Sequence, residues 1–343
     1  MFHPIHTERL RIRAIAREDA ADLAERRSDA EVARFQNWAI PYGLDQAETL
    51  VAGLIGVDGP KNEEWWMAML TLAGTANVVG DIAVRLTFEG RSAEIGYTLS
   101  REHWGRGYAT EAVEGLVAYL FDEMCVARVS AMVHPDNVGS ARVLERCGFL
   151  FEGHTRDSFW LGDEGSDDWI YGLTRSDWET WHDRPRGMPT TLELIPVTVA
   201  NESLVYGLVT HKTQERLVAP MSASFADALF PEVVNGAPVV PWMRAIVADD
   251  ETVGFSMVAL ATKHHPEPFL WRFLIDRLHQ RRGIGARALD LVADECRAMG
   301  DTTLVTSWST GPGSPGPFYL RNGFGLTGNL VDGETEGRRP LTT

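Results

Sequence analysis

Two short turns in the chain place glycines and basic residues directly before a helical pattern. One covers residues 280–285 and reads QRRGIG, and the other covers residues 104–109 and reads WGRGYA. Glycine lets a backbone approach a ligand without an intervening side chain, and the first N–H groups of a helix favour an anion. Arg281, Arg282 and Arg287 add positive charge near the turn at residues 280–285. Each turn is therefore a candidate pyrophosphate site.

Other phosphate-binding designs fit this sequence less well. A glycine-rich turn before a helix also occurs in nucleotide-binding folds, so the turn alone decides little. The sequence has no GxxxxGK[ST] motif, and no GxGxxG follows an early strand in either half. A P-loop and a dinucleotide-binding fold are therefore disfavoured.

The same order of elements surrounds both turns. A short apolar strand precedes each turn, beginning at Ala93 in the first copy and at Leu270 in the second. A helix follows each turn, because apolar residues recur at helical spacing on one face. These residues are Val113, Leu116, Val117 and Leu120 in the first copy, and Leu289, Val292, Ala293 and Cys296 in the second. Each copy then runs through a strand into a short helix that ends in Gly-Phe, at 148–149 and at 323–324.

This repetition predicts a tandem duplication of one fold. A chain of 343 residues is long enough for two domains, and the stretch WHDRPRGMPT (181–190) has the prolines and glycine of a linker. We predict an N-terminal domain over residues 1–182, a linker over 183–190 and a C-terminal domain over 191–343. Strands and helices alternate irregularly, so the expected class is α/β (α+β), with a mixed central sheet flanked by helices in each domain.

The composition narrows the class of partner. The formal net charge is −16, and most of the negative charge lies in the first half. Nucleic acid is a poor partner for such a chain, whereas a cationic amine would be attracted, although solubility alone also explains the charge. The sequence has no apolar run of membrane-spanning length and no signal-peptide pattern, and its three cysteines lie far apart. We therefore expect a cytoplasmic protein with no membrane partner, no disulfide framework and no metal site.

At the two turns the sequence resembles the GNAT superfamily of N-acetyltransferases. The family signature is Q/R-x-x-G-x-G/A between the fourth strand and the third helix. Residues 280–285 match it fully, and residues 104–109 match it with Trp104 in the Gln/Arg position. The first half, with HPDNVGSARVLERCGF (134–149), is similar to the ribosomal-protein N-acetyltransferase branch. The second half, with FYLRNGF (318–324), looks more like polyamine and small-amine acetyltransferases, and the resemblance covers essentially the whole chain.

This resemblance implies acetyl-CoA as the cosubstrate, held between the splayed fourth and fifth strands of each domain. The backbones of Thr98 and Leu99, and of Leu274 and Ile275, would bond the pantetheine arm, while the turn amides bind the pyrophosphate. Asn137 would also contact CoA. The implied turn residues are Arg106, Gly107, Tyr108, Ala109 and Thr110 in the first copy, and Gln280, Arg281, Arg282, Gly283, Gly285 and Ala286 in the second.

The resemblance also implies roles for three catalytic residues. Glu94 would take the proton of the amine, Ser140 would protonate the leaving thiolate, and Tyr319 would be the acid of the second copy. Without a catalytic role, Glu94 would be a surface carboxylate, Ser140 a residue at a helix start and Tyr319 a half-buried aromatic. Counting back from the turns aligns Glu94 with the apolar Leu270. A base in the second copy must then come from elsewhere, for example Glu267 or an ordered water, or this copy is not catalytic.

We therefore predict an N-acetyltransferase that moves acetyl directly from acetyl-CoA to a primary amine of a small molecule or peptide. Direct transfer needs no nucleophile, so we expect Cys147 to pack in a core. Two alternatives stay open. One is self-resistance, in which an amine-bearing antibiotic is acetylated, and the other is a non-catalytic CoA-binding sensor or scaffold in one or both domains. The tandem pair could also form a pseudo-dimer.

Overall fold

The computed structural model describes residues 2–161 and 163–341. The chain divides into two units, Met1–Asp183 and Arg184–Thr343. Each unit has its own central sheet and its own buried apolar clusters. Strands and helices mix within both units, which confirms the predicted α/β (α+β) class. Over the described residues, no helix is both long and apolar enough to cross a lipid bilayer.

The first unit is built on one mixed sheet. In the described part of this unit the strands are β1 (Ile5–His6), β2 (Leu10–Ala14), β3 (Trp65–Leu72), β4 (Val78–Thr87), β5 (Ser92–Leu99), β6 (Arg128–Val133), β7 (Leu150–Leu161) and β8 (Glu164–Thr174). The α-helices are α1 (Ala20–Ser28), α2 (Ala30–Ala33), α3 (Leu44–Leu54), α4 (Tyr108–Asp122), α5 (Val138–Arg146) and α6 (Arg175–Asp183). The strand order is β1-β2-β3-β4-β5-β6-β8-β7. Strands β5 and β6 run parallel, and the other neighbours run antiparallel.

The second unit repeats this plan. Its described strands are β9 (Leu192–Pro196), β10 (Val233–Val234), β11 (Ala237–Pro238), β12 (Val240–Ala248), β13 (Glu251–Leu260), β14 (Phe269–Ile275), β15 (Thr303–Trp308), β16 (Gly325–Val331) and β17 (Glu334–Pro340). The α-helices are α7 (Glu202–Tyr206), α8 (Met221–Leu229), α9 (Ile284–Ala298) and α10 (Gly316–Arg321). The main sheet has the order β9-β12-β13-β14-β15-β17-β16, while β10 and β11 form a separate hairpin. Strands β14 and β15 are the parallel pair.

The two long helices pack as their spacing predicts. On α4 the residues Val113, Leu116, Val117 and Leu120 are buried, and on α9 the same holds for Leu289, Val292, Ala293 and Cys296. Both helices have 15 residues and lie against the sheet of their own unit. Burying about four such side chains stabilises each contact by several kcal/mol. The start of each helix is thereby fixed relative to the strand before it.

The parallel pair in each sheet opens after a few residues. Strand β5 pairs with β6 only at Ser92–Glu94, opposite residues 128–130, although β5 continues to Leu99. Strand β14 pairs with β15 only at Phe269, opposite Val305, although β14 continues to Ile275. Beyond these points the two strands diverge. A wedge-shaped gap therefore lies in the middle of each sheet.

Two parts of the fold differ from the simple sequence reading. The hairpins β7–β8 and β16–β17 complete the two sheets beside the wedge, and no turn motif predicted them. The segment expected as a linker is bonded to the second unit at several points. Arg282 Nε donates to Gly187 O at 2.8 Å, and Arg287 donates to Pro189 O at 2.9 Å. Residues 187–189 therefore lie beside the glycine turn of the second unit.

Candidate functional site

The first glycine turn leads into α4 with free backbone donors. Gly107 caps the helix in the left-handed conformation, with φ of 81°, which glycine adopts without the steric cost that a β-carbon brings. The helical ladder begins with the N–H of Glu111 donating to Gly107 O at 3.1 Å. The N–H groups of Tyr108, Ala109 and Thr110 precede that bond and point out of the helix start. This is the geometry of an anion site.

The second turn has the same backbone geometry. Gly283 caps α9 in the left-handed conformation, with φ of 76°, and the ladder begins with Arg287 N–H to Gly283 O at 3.4 Å. The N–H groups of Ile284, Gly285 and Ala286 are the orphan donors here. Both units therefore present the positive end of a helix dipole at the end of the wedge.

One hydrogen bond ties each turn to the strand before it. In the first unit Trp104 Nε1 donates to Leu99 O at 2.9 Å. In the second unit Gln280 Nε2 donates to Ile275 O at 3.0 Å. The two acceptors are equivalent, because Leu99 pairs with Gly80 and Ile275 pairs with Gly254 in matching antiparallel pairs. The tryptophan that departs from the Gln/Arg pattern thus makes the same bond as the glutamine.

The charged residues around the two turns differ. In the first unit Arg9 reaches across to the turn, where it donates to Arg106 O at 2.9 Å and pairs with Glu111 at 2.6 Å. Burial raises the pKa of Glu111, but the hydrogen bonds from Thr7 and Arg9 outweigh it and hold the pKa below its ordinary value. The Arg106 side chain is exposed at the turn. An exposed guanidinium there can meet an anion directly.

The equivalent arginine of the second turn is turned inward. Arg282 is 8% exposed, and besides Gly187 it contacts His279 Nδ1 at 2.9 Å. Its guanidinium therefore supports the turn from behind, whereas Arg281 is exposed. Arg281 has a left-handed backbone with φ of 67°, as Gly105 has at 72°. The second turn keeps the shape of the first with an arginine in place of a glycine.

A large cavity opens beside the second turn. Its volume is about 1520 Å³, and all its lining residues belong to the second unit. It is lined by all the residues of this domain expected to hold the cofactor except Arg282, namely Leu274, Ile275, Gln280, Arg281, Gly283, Gly285 and Ala286. It also contains Tyr319 and a set of carboxylates. The cavity thus joins the predicted anion site to the predicted acid.

In the first unit the helix start of α5 meets β5. Asn137 is the N-cap of α5, and its Oδ1 accepts from the N–H of Ser140 at 3.1 Å. Ser140 Oγ lies 2.8 Å from the hydroxyl of Tyr97, which also donates to Ser140 O at 3.0 Å. Tyr97 lies on β5 directly before Thr98 and Leu99, which are buried at the end of that strand. The predicted acid and the predicted pantetheine-binding strand are therefore adjacent.

Two family models of acetyltransferases match the chain. The model described as "Acetyltransferase (GNAT) domain" matches residues 9–150, and the one described as "Acetyltransferase (GNAT) family" matches residues 210–324. Each match lies within one unit and includes its glycine turn. The chain belongs to the GNAT acetyltransferase family. It carries two GNAT domains in tandem, as the repeated motif predicted.

Two relatives named as N-acetyltransferases agree with this assignment. An uncharacterized N-acetyltransferase p20 from Bacillus licheniformis is 33% identical over 45% of this chain and 85% of its own length. An uncharacterized N-acetyltransferase YoaA from Bacillus subtilis is 29% identical over 51% of this chain and 98% of its own length. A solved GNAT-family acetyltransferase from Bacillus anthracis is 26% identical with a TM-score of 0.47, and covers 51% of this chain and 99% of its own.

Glu94 lies at the point where the wedge of the first GNAT domain opens. It is opposite Ser130 on β6, the last pair before β5 and β6 diverge. Its carboxylate is paired with Arg85 on β4, and Arg85 in turn stacks on Trp65 at 5.3 Å. Glu94 therefore lies at the mouth of the wedge, where Arg85 holds its carboxylate. No sequence pattern indicates this pair, because the two residues lie on neighbouring strands.

The counterpart of Glu94 in the second GNAT domain is Phe269 rather than Leu270. Glu94 pairs with Arg85, five positions after Gly80, and Phe269 pairs with Ala259, five positions after Gly254. The count along the chain is off by one because β14 has a bulge between the partners of Met257 and Val258. The position is apolar, as the sequence predicted, so no base lies there.

Tyr319 is more deeply buried than a half-exposed aromatic. It is 7% exposed and stacks on Trp308 at 5.3 Å, with its edges against Phe318 and Phe324. Burial, opposed by a hydrogen bond with Thr306, raises the pKa of its hydroxyl to about 12. The phenol therefore keeps its proton throughout the physiological range. The ring of Tyr319 packs in the core of the second domain, and the residue also lines the cavity.

Cys147 packs in the core of the first domain. It is 3% exposed, and burial raises the pKa of its thiol well above the ordinary value. A thiol that stays protonated is a poor nucleophile. The expectation that Cys147 packs rather than reacts agrees with these surroundings.

Proposed function

We propose that the protein is an acetyl-CoA-dependent N-acetyltransferase that moves acetyl directly to a primary amine of a small molecule or peptide in the cytoplasm. The observation that carries this proposal is the duplicated turn. In both domains a left-handed glycine opens a 15-residue helix at the end of a wedge between parallel strands. Membership of the GNAT family supplies the class of reaction.

The residues present fit acetyl-CoA. The orphan N–H groups at the starts of α4 and α9 suit a pyrophosphate, and the ends of β5 and β14 offer backbone groups that no parallel neighbour uses. In the second domain a cavity of about 1520 Å³ connects these features. Bound acetyl-CoA would supply a thioester as the acyl donor. Side chains of the protein would carry out the proton transfers to and from the reacting atoms.

In the first domain we assign the proton transfers to Glu94 and Ser140. Glu94 would take the amine proton at the mouth of the wedge, with Arg85 holding the carboxylate in place. Ser140 would donate to the sulfur, and Tyr97 orients its hydroxyl from 2.8 Å away. Removal from water raises the pKa of Tyr97 far above its ordinary value, so its hydroxyl remains a hydrogen-bond donor at neutral pH. In the second domain Tyr319 would donate the proton to the sulfur.

The acceptor we propose is a cationic amine. The net charge of −16 attracts cations to the surface, and in the cavity of the second domain six lining carboxylates outnumber four lining arginines. An antibiotic amine remains one possible acceptor within this class. A second candidate function, CoA binding without transfer in the second domain, is favoured by Phe269 in the place of Glu94.

The binding test counts sites by titration calorimetry with acetyl-CoA. We expect two sites per chain. Gly107→Glu and Gly283→Glu should each remove one, because a side chain is strained at a left-handed glycine and the new carboxylate repels the pyrophosphate. At Gly283 a β-carbon would also lie 2.9 Å from Met188 Cε. One site in the unchanged chain would contradict the assignment of two turns.

Matched controls separate charge at the turn from backbone strain. Gly90 and Gly300 are also left-handed and have open space where a β-carbon would be. Gly90 lies in the β4–β5 hairpin, and Gly300 follows the far end of α9. Gly90→Glu and Gly300→Glu should leave both sites intact. The activity test is thiol release from acetyl-CoA with a panel of primary amines, and no release with any acceptor would refute the transferase proposal.

A further inference from the structure

The second GNAT domain needs a proton acceptor that its strand β14 does not supply. Phe269 and Leu270, the two candidates for the position of Glu94, are both apolar. Six carboxylates line the cavity instead: Glu215, Glu232, Glu267, Asp332, Glu334 and Glu336. An acceptor must be held in place and must be near the acid, and one without a paired cation is preferred, because a cation competes with the amine.

Most of these carboxylates fail one of the conditions. Glu215 is paired with Lys212 at 2.6 Å, and Glu267 is paired with Arg338 at 2.7 Å. Glu232 and Asp332 are exposed, the latter in the β16–β17 turn, and within the described residues no hydrogen bond or ion pair holds either side chain in place. Glu267, the residue that the sequence suggested, is thus held by a cation at the rim. Glu334 and Glu336 on β17 remain.

Glu334 is held by two hydroxyl groups. Ser307 Oγ donates to Glu334 Oε2, and Ser309 Oγ donates to Oε1, both at 2.6 Å. The carboxylate is therefore fixed by hydrogen bonds, and no cation within residues 2–161 and 163–341 pairs with it. Glu336 has a weaker hold, a bond from the amide of Asn329 at 3.2 Å. Of the pair on β17, Glu334 is the better placed to receive a proton.

Glu334 and Tyr319 lie on opposite sides of β15. Trp308 stacks on Tyr319 in the cluster beneath α9, so the even-numbered residues of β15 face that helix. Ser307 and Ser309 alternate with Trp308 and face the other way, and Glu334 is bonded to both of them. The wedge between β14 and β15 opens between these two faces. An amine at Glu334 and a thioester sulfur at Tyr319 would meet across that wedge.

The first domain has a carboxylate at the corresponding place. Val133, the last residue of β6, pairs with Trp169, and Trp308, the last residue of β15, pairs with Thr335. The residue before each partner is Asp168 in the first domain and Glu334 in the second. Asp168 is 9% exposed and also accepts from a serine hydroxyl, that of Ser158, at 2.9 Å. A hydroxyl-bonded carboxylate at this strand position is therefore a feature of both domains.

We propose that Glu334 is the general base of the second domain, which deepens the transferase function proposed above and rests on it. As the amine nitrogen bonds to the acyl carbon, Glu334 takes the proton that the nitrogen loses. The acyl carbon–sulfur bond breaks, and the sulfur takes the proton of the Tyr319 hydroxyl. Solvent then returns a proton to Tyr319 and removes one from Glu334. The sum is an amide and a free thiol from an amine and a thioester.

The test uses the full chain with Gly107→Glu, so that only the second domain turns over. Acceptors are ethanolamine, diaminobutane, lysine amide and a seryl peptide, and thiol release gives kcat and KM. Glu334→Gln should lower kcat by about 100-fold or more, while acetyl-CoA affinity stays unchanged. The matched control is Glu193→Gln, an exposed carboxylate on β9 at the opposite edge of the same sheet and outside the cavity, which should change kcat by less than about threefold.

Three results would overturn the proposal. The first is an unchanged kcat in Glu334→Gln. The second is a raised KM with unchanged kcat, which would make Glu334 an anchor for the ammonium group. The third is no turnover in the Gly107→Glu chain while its second domain still binds acetyl-CoA; that result leaves the first domain as the enzyme. Loss of acetyl-CoA binding by both domains would instead refute the proposed function. If Glu334→Gln does not fold, Glu334→Asp replaces it, with partial activity expected.

Discussion

The bond from Trp104 to Leu99 O should control how tightly the first domain holds its cofactor. The indole N–H donates at 2.9 Å to the last carbonyl of β5, where Leu99 is 8% exposed. Trp104→Phe keeps an aromatic ring but removes the donor. Loss of one such bond costs about 1–1.5 kcal/mol. If binding must then re-form the turn, the Kd for acetyl-CoA should rise by about 5–13-fold.

The second domain provides the matched rescue for this change. Gln280 makes the equivalent bond to Ile275 O at 3.0 Å. Trp104→Gln should therefore restore the donor and bring the Kd back to within about twofold of the starting value. The loss of packing should be small, because Trp104 is 47% exposed.

The assay is calorimetry with acetyl-CoA in a chain that carries Gly283→Glu, so that one site is titrated. The unfolding midpoint of each variant checks that the first domain remains folded. Tight binding by Trp104→Phe would show that the turn does not depend on this bond. Equal weakening in Trp104→Phe and Trp104→Gln would show that the ring, and not the N–H, matters. Either result would refute the equivalence of Trp104 and Gln280.

Two further predictions concern buried charge and pH. Arg26 and Asp81 form an ion pair at 2.8 Å with side chains only 1% and 5% exposed, so Asp81→Asn should destabilise the first domain by about 3–5 kcal/mol in denaturant unfolding, whereas the double variant Arg26→Met with Asp81→Leu should recover most of that loss. If the double variant recovers no stability, the two residues do not form an ion pair that is independent of its neighbours. Because the pKa of Tyr319 is raised to about 12, kcat/KM of the Gly107→Glu chain should not fall between pH 9 and pH 10.5. A phenol with the ordinary pKa would be about three-quarters ionised at pH 10.5. A fall of kcat/KM to about one quarter at that pH would therefore show that the pKa of Tyr319 is not shifted.

The two glycine turns and the helices that follow them were readable from the sequence because they depend on local backbone geometry. A left-handed glycine and the helix that follows it are neighbours in the chain, so a motif of six residues contains both. Trp104 looked like a departure from that motif, yet its side chain supplies the same N–H as Gln280. Sequence comparison sorts residues by type, whereas the turn requires only a donor at the right distance.

The proton-transfer half was only partly readable because it depends on partners far apart in the chain. Tyr97 and Ser140 meet through the packing of α5 on β5, and Glu94 meets Arg85 across two strands. The bulge in β14 moved the counterpart of Glu94 by one residue, and a bulge leaves no mark in a count along the chain. Glu334 was missed because the β16–β17 hairpin that carries it was not predicted.

The two domains differ at the positions to which we assign proton transfer. Their turns share the left-handed glycine, the strand-to-turn hydrogen bond and the orphan helix donors. At the mouth of the wedge, however, one has Glu94 and the other Phe269. Backbone groups hold a pyrophosphate and a pantetheine arm whatever the acceptor is, so a duplicated domain can keep them unchanged. The base must match the position of the attacking nitrogen. Strands β8 and β17 pair with β6 and β15, which lie across the wedge from β5 and β14. A domain that relies on Glu334 would therefore hold its amine on the opposite side of the wedge from a domain that relies on Glu94.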